Sequence, residues 1–277
     1  MEQIKPILKN LIAKSITKNN LYKRNLLKEY LQILVLDFIY ANPKYNNLIF
    51  YGGSCLAHCY DLPRLSEDLD FIDIKKQYKI EQLASDLRKY FQDNTDLKIK
   101  TTVQKFRIYL KFPILWELKI ARKPESNLLF LKIEIYSKFD FCKKYEIDVV
   151  PLFKFNHSIL ARTFDLPTLM ATKLRAIFLR KWEKVDKKGK TFVKVKGRDY
   201  FDLMWYLQKR INPNLNCIEM VKNKQNLKNN LLENIAKIDP QSIYLDLEAL
   251  IEDKNFVKNL SKNIKKILKN SIEKNLS

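Results

Sequence analysis

Apolar positions along this chain follow two periods, and the balance between them shifts near the middle. Tyr22, Leu26, Leu27, Tyr30, Leu31, Leu34, Phe38 and Ile39 recur at helical spacing and predict one amphipathic helix over 21–41. A short apolar run at 48–51 reads as a buried strand, 54–60 as a short helix and 69–74 as a second strand. Lys79 to Phe91 returns to helical spacing. Leu97–Val103, Phe106–Phe112, Leu128–Tyr136 and Tyr145–Val150 are rich in β-branched and aromatic residues and read as strands. After Pro151 helical periods dominate: one helix opens at Pro167 and runs to about Trp182, another covers Asp199–Gln208, and Phe256–Leu276 forms a last lysine-rich one. Lys184 to Val195 interrupts them, with Asp186 to Gly189 as a turn between Val185 and Thr191-Phe192-Val193. The pattern predicts an α+β protein with a mixed first half and a mostly helical second half, changing over near residues 151–165, without internal repeats.

Composition makes this a folded chain. Its 277 residues are 46% hydrophobic and 12% aromatic, enough for a substantial core. No stretch approaches the roughly 20 apolar residues of a membrane span, and the charged N-terminus lacks the apolar block of a secretory signal, so a soluble chain that is not exported is expected. Cysteines at 55, 59, 142 and 217 are too sparse and scattered for a disulfide framework, which fits a reducing cytoplasm. The net charge of +21 points to a polyanionic partner, against the plainer reading of lysines on solvated helix faces.

Candidate chemistry gathers around the rarest residue. There are four glycines, and two are adjacent, Gly52-Gly53-Ser54, where a strand-like run meets the start of a helix. Backbone N–H groups at such a junction can face phosphate. Downstream stands Arg64-Leu65-Ser66-Glu67-Asp68-Leu69-Asp70-Phe71. On a strand Asp68 and Asp70 point to one face, and two carboxylates over one patch suit Mg²⁺ shared with substrate phosphates. Together the segments suggest a nucleoside triphosphate bound with a metal.

Gly53-Ser54, thirteen intervening residues and Asp68-Leu69-Asp70 resemble the signature of the polymerase-β nucleotidyltransferase superfamily. The fuller pattern, Gly-Gly-Ser with Arg-x-Ser-x-Asp-x-Asp-Phe, is similar to the AbiEii/MenT toxins of bacterial toxin–antitoxin and abortive-infection systems. Lys132-Ile133-Glu134 resembles that group's second motif, with Glu where Asp is usual. Lys173 and Arg198-Asp199-Tyr200-Phe201-Asp202 resemble the third and fourth. The matches run in order over residues 52–203. The resemblance implies a nucleotidyltransferase core over 1–155, a mixed sheet flanked by helices, and a helical domain over 156–277 closing the cleft. It implies that Asp68 and Asp70 hold Mg²⁺ (Mn²⁺ being an alternative) with Glu134 as a third ligand. Gly53, Ser54 and Lys173 would bind the triphosphate. Asp199 would be a further essential carboxylate, with Arg198 and Asp202 orienting it or meeting the base. The implied activity is transfer of NMP from NTP to RNA, foremost the tRNA 3′ end, under an antitoxin that need not bind this chain.

Plainer readings accompany each motif. Glu134 is equally explained as a solvent-facing strand residue, with Asp148 a lesser rival for its role, and Asp199 and Asp202 as first-turn acids on a helix. Cys55, His58 and Cys59 could suggest zinc, but small residues packed behind a glycine turn explain them better. The basic tail and Lys184 to Lys196 suit an electrostatic footprint for RNA, with Trp182, Tyr200 and Phe192 available for stacking, and the helix over 254–274 suits closure of its domain better than a membrane surface or a partner. A small-molecule or protein nucleotidyltransferase, or a non-catalytic RNA-binding protein, is the alternative function.

Overall fold

The alternating strands of the first half assemble into one seven-stranded mixed sheet. The computed structural model describes residues 2–180, 184–185, 191–193 and 195–275. The chain divides into two compact units, residues 1–139 with 148–163 and residues 140–147 with 164–277.

In the first unit, helices α1 (Ile4–Lys14) and α2 (Asn20–Ala41) precede β1 (Ile49–Tyr51), α3 (Gly52–Cys59), β2 (Asp68–Ile72) and α4 (Ile80–Asn94). Strands β3 (Lys100–Gln104), β4 (Arg107–Pro113), β5 (Leu128–Tyr136), β6 (Ile147–Lys154) and β7 (His157–Phe164) complete the sheet, in the order β3-β4-β5-β2-β1-β7-β6. The two-residue period sorts the faces. Leu69 and Phe71 of β2, Ile108 and Leu110 of β4 and Leu131 and Ile133 of β5 are fully buried on one side, where α2 packs on β5 and α4 on β3 and β4. Asn19 caps α2 by accepting from the N–H groups of Leu21 and Tyr22. The opposite face carries Asp68 and Asp70 of β2, Arg107, Tyr109 and Lys111 of β4 and Lys132, Glu134 and Tyr136 of β5.

Sequence periodicity and structure part company after Pro151. The helical reading there gives way to the second arm of a hairpin, β6–β7, turned at Phe155 and Asn156 with φ of 51° and 63°. Positive φ at both central residues matches a type I′ turn, signalled in the sequence by Asn156 but by no glycine. Pro151 is accommodated because β6 lies at the sheet edge.

The second unit is mostly helical. It contains α5 (Leu166–Leu179), α6 (Gly197–Gln208), a 3₁₀ turn at Leu215–Cys217, α7 (Lys224–Ala236), α8 (Pro240–Leu247) and α9 (Lys254–Asn275). Strands β8 (Lys184–Val185) and β9 (Thr191–Val193) pair antiparallel as the expected hairpin, although its turn and Trp182 lie outside the described residues. Helix α6 packs against α8 where Gly197 sits: a Cβ there would lie 2.8 Å from Ile243 Cα. Cys142 and Cys217, 75 positions apart, form a disulfide within this unit, a pairing that their spacing did not suggest. Among the described residues no helix is long and apolar enough to cross a membrane.

Candidate active site

Register places the carboxylates. Strand β2 pairs in parallel with β5, setting Asp68 opposite Lys132 and Asp70 opposite Glu134, while antiparallel β4 brings Arg107 opposite Glu134. Alternation then puts these side chains on the polar face of the sheet. Lys132 Nζ lies 2.9 Å from Asp68 Oδ2 and 3.1 Å from Glu134 Oε1. Arg107 Nε donates to Glu134 Oε1 at 2.5 Å, and the Tyr136 hydroxyl donates to Oε2 at 2.7 Å. Glu134 is buried, Asp68 and Asp70 half-buried.

These contacts set the charge states. Burial would raise the Glu134 carboxyl, but the Tyr136 hydroxyl, Lys132 and Arg107 outweigh it and hold the group below the usual range. Lys132 titrates higher than usual because Asp68 and Glu134 overcome its burial. Burial, reinforced by Glu134, pushes the Tyr136 phenol well up.

The glycine turn abuts this patch. Gly52 opens α3 with φ of +80°, and a Cβ on it would stand 2.6 Å from Asp70 Oδ2. A Cβ on Gly53 would meet Arg64 Nη2 at 2.7 Å and Ser66 Oγ at 3.2 Å. Glycine is therefore required at 52 by conformation, while at 53 a side chain would have to displace the Arg64 guanidinium. Ser54 is fully buried and its hydroxyl donates to the Asp68 carbonyl, tying the helix to the carboxylate strand. Behind it Gln32 Nε2 donates to the Ser66 carbonyl at 3.0 Å, and Gln32 Oε1 lies 2.9 Å from His58 Nε2. Burial lowers the His58 imidazole to about 3. Cys55 Sγ lies 3.0 Å from Thr163 Oγ1. The Cys55–Cys59 segment is thus core around a neutral histidine, and among the described residues no cluster of three or more His, Cys, Asp or Glu groups is assembled for a metal. The donor set on β2, two hard carboxylates on one strand face, fits a Mg²⁺ ion that takes its remaining ligands from phosphate and water.

A second cluster lies in the helical unit. Lys173 Nζ on α5 stands 2.8 Å from both Asp199 Oδ1 and Asp202 Oδ2 of α6, and Arg180 Nη1 stands 2.8 Å from Asp199 Oδ2. The three-residue spacing puts both acids on one helix face. Burial would raise the Asp199 carboxyl, yet Lys173, Arg180 and Lys196 bring it down to about 2. Burial and Arg198 lower the Lys196 ammonium to about 8. The Arg198 backbone N–H donates to Asp246 Oδ2 at 2.9 Å and its Nε lies 3.6 Å from the same oxygen.

Residues 34–276 match the family model described as nucleotidyl transferase AbiEii toxin, type IV toxin–antitoxin system. The chain belongs to the AbiEii nucleotidyltransferase toxin family. No curated protein matches it. Among solved structures this AbiEii toxin is similar in fold to MenT4, a nucleotidyltransferase toxin of Mycobacterium tuberculosis, with a TM-score of 0.57 at 10% identity over 97% of this chain and 88% of that one. Two Helicobacter pylori chains, one of them JHP933, give TM-scores of 0.48 and 0.45 at 19% identity, covering 90% of this chain and 96% and 94% of theirs.

Within this AbiEii member the structure gathers Asp68, Asp70, Glu134, Gly53 and Ser54 in the first unit and Lys173, Arg198, Asp199 and Asp202 in the second. Asp148 lies on edge strand β6 and plays no part in the β2 patch. Motif reading had not singled out Arg107, Tyr136, Arg180 or Lys196. Tyr136, two positions beyond Glu134, and Arg180, seven beyond Lys173, are legible from strand and helix periods. Arg107 becomes visible only through the β4–β5 register.

Proposed function

We propose that this toxin transfers a nucleoside monophosphate from an NTP to RNA, foremost the 3′ end of tRNA, blocking translation in the cytoplasm that holds its acceptor. The observation that carries the reading is the glycine turn set against Asp70 on the strand that also presents Asp68. The first-turn N–H groups of α3, beginning at Gly52 and Gly53, receive the terminal phosphates. Ser54, already bonded to the Asp68 carbonyl, holds that turn against the carboxylates. Asp68 and Asp70 would hold Mg²⁺ or Mn²⁺, which when bound supplies Lewis-acid stabilisation of phosphate charge. Glu134 keeps Lys132 beside Asp68 and would serve as a third metal ligand through the lone pair left on Oε2. Lys132 is placed to balance charge on the reacting phosphate. Lys173, Asp199, Asp202 and Arg198 enter as a nucleotide-binding and catalytic group of the helical unit. The acceptor 3′-hydroxyl gives its proton to solvent as its oxygen attacks the α-phosphorus, the new P–O bond forms, and the bond from the α-phosphorus to the α–β bridging oxygen breaks to release pyrophosphate.

The test incubates protein with Mg²⁺, total tRNA and each α-³²P-labelled NTP. Labelled tRNA is expected with the wild type, at least about a thousandfold less with Asp70→Asn, a loss of the size that follows removal of a transition-state stabiliser, and none with a chelator. Equal labelling by Asp70→Asn would overturn the site. Label on protein in place of RNA would overturn the acceptor.

A further inference from the structure

Helix α9 has two faces with separate duties. Val257, Leu260, Ile264, Leu268 and Ile272 are buried and close the helical unit, packed against α6, α7 and α8. At 100° per residue, Lys254, Lys265, Lys258, Lys269, Lys262 and Lys266 fall within an arc of roughly 120° on the solvent side, and Asn255, Asn259, Asn270 and Asn263 continue it. Lys265 donates to the Ala236 carbonyl at 2.7 Å. Lys254, Lys258, Lys262, Lys266 and Lys269 are exposed and make no ion pair or hydrogen bond with any described residue. Glu273 is the single acid of the helix. From Lys254 to Lys269 the row is about 22 Å long, with a charge at each turn.

We propose that this lysine and asparagine face is the docking surface for the phosphate backbone of the acceptor RNA. The inference deepens the RNA-acceptor reading and rests on it. A row of unpaired ammonium groups at about 6 Å steps suits a continuous polyanion, whose phosphates are contacted without sequence preference. The asparagine amides beside it add neutral donors and acceptors for phosphate and 2′-hydroxyl oxygens. A protein partner fits poorly, because protein interfaces centre on buried apolar anchors and Phe256, 45% exposed, is the one large apolar side chain this helix exposes. A membrane fits poorly too, because the apolar stripe that would insert is already inside the fold.

The experiment compares wild type with two four-site variants of equal charge change. One replaces Lys254, Lys258, Lys262 and Lys266 by Gln. The control replaces Lys75, Lys76, Lys89 and Lys98, exposed in the first unit, by Gln. Circular dichroism and thermal melting establish that each is folded. Binding of total tRNA without NTP is measured from 50 to 300 mM KCl, alongside labelling at saturating RNA. The α9 variant is expected to bind tRNA at least about tenfold more weakly at 150 mM salt, with the slope of log K against log salt reduced by about 3. Its kcat and its KM for NTP should match the wild type, and the control should bind within about twofold. Equal weakening in both variants, or in neither, overturns the proposal, as does α9-dependent binding to phosphatidylserine vesicles or to the antitoxin without an effect on tRNA. Wild type that binds tRNA through α9 yet labels none would overturn the transfer reading while leaving the docking surface standing.

Discussion

Two residues define how tightly the chemistry is fitted. Gly52 is held at φ +80°, where a Cβ would stand 2.6 Å from Asp70 Oδ2. Gly52→Ala therefore combines a left-handed backbone penalty of about 1–2 kcal/mol with a collision at a carboxylate of the site. The expected result is a fall in labelling of at least about a hundredfold with a melting temperature lowered by only a few degrees. Wild-type activity in Gly52→Ala would show that the turn does not press on Asp70. Asp199 makes a pH argument. Its carboxyl is lowered from 3.8 to about 2, so between those values the unfolded chain binds more protons than the folded one. The stabilisation is present above about pH 4 and is lost as pH falls through 2, on the order of 2 kcal/mol in all. Urea midpoints of wild type and Asp199→Asn should converge over that window, and a gap constant down to pH 2 would refute the pairing.

At the scale of elements, the strands that build the site are legible, and the hairpin beyond them is legible only in its first half. Leu128–Tyr136 is β5, and the runs at 48–51, 69–74 and 106–112 coincide with β1, β2 and β4 to within two residues. Their apolar alternation is strong because one face is fully buried. Tyr145–Val150 coincides with the first half of β6, and the helical reading fails only after Pro151, where the outward positions Phe153 and Leu160 are exposed yet apolar and erase the two-residue alternation. Asp68 and Asp70 could be placed on one face from period alone. The grip of Arg107 on Glu134 and of Lys132 on Asp68 could not, since each depends on pairing between strands distant in sequence. Helix packing offers its own test. Because a Cβ at Gly197 would lie 2.8 Å from the Ile243 backbone, Gly197→Ala must push α6 from α8. The expected cost is about 2 kcal/mol, read as a lower urea midpoint, and an unchanged midpoint would mean that the two helices separate freely.

For the whole molecule, charge is the dominant property. A net +21 on 277 residues raises the local concentration of any polyanion and makes its capture sensitive to salt. Raising KCl from 50 to 200 mM should reduce labelling at subsaturating tRNA by at least about tenfold while the KM for NTP moves by less than about threefold, because few phosphates of an NTP are engaged compared with those of RNA. Equal sensitivity of both substrates would point away from an extended RNA footprint.

The order of strands in the sheet also governs when the chain acquires a site during its own synthesis. Asp68 and Asp70 leave the ribosome early, but β2 gains its parallel neighbour only when residues 128–136 arrive, and β1 gains its own only with β7. A nascent chain ending before residue 128 carries both aspartates and the glycine turn, with β2 paired only to β1 and its other edge open. This delays the carboxylate patch, with Lys132 and Glu134 in place beside Asp68 and Asp70, until about half of the polypeptide has been made.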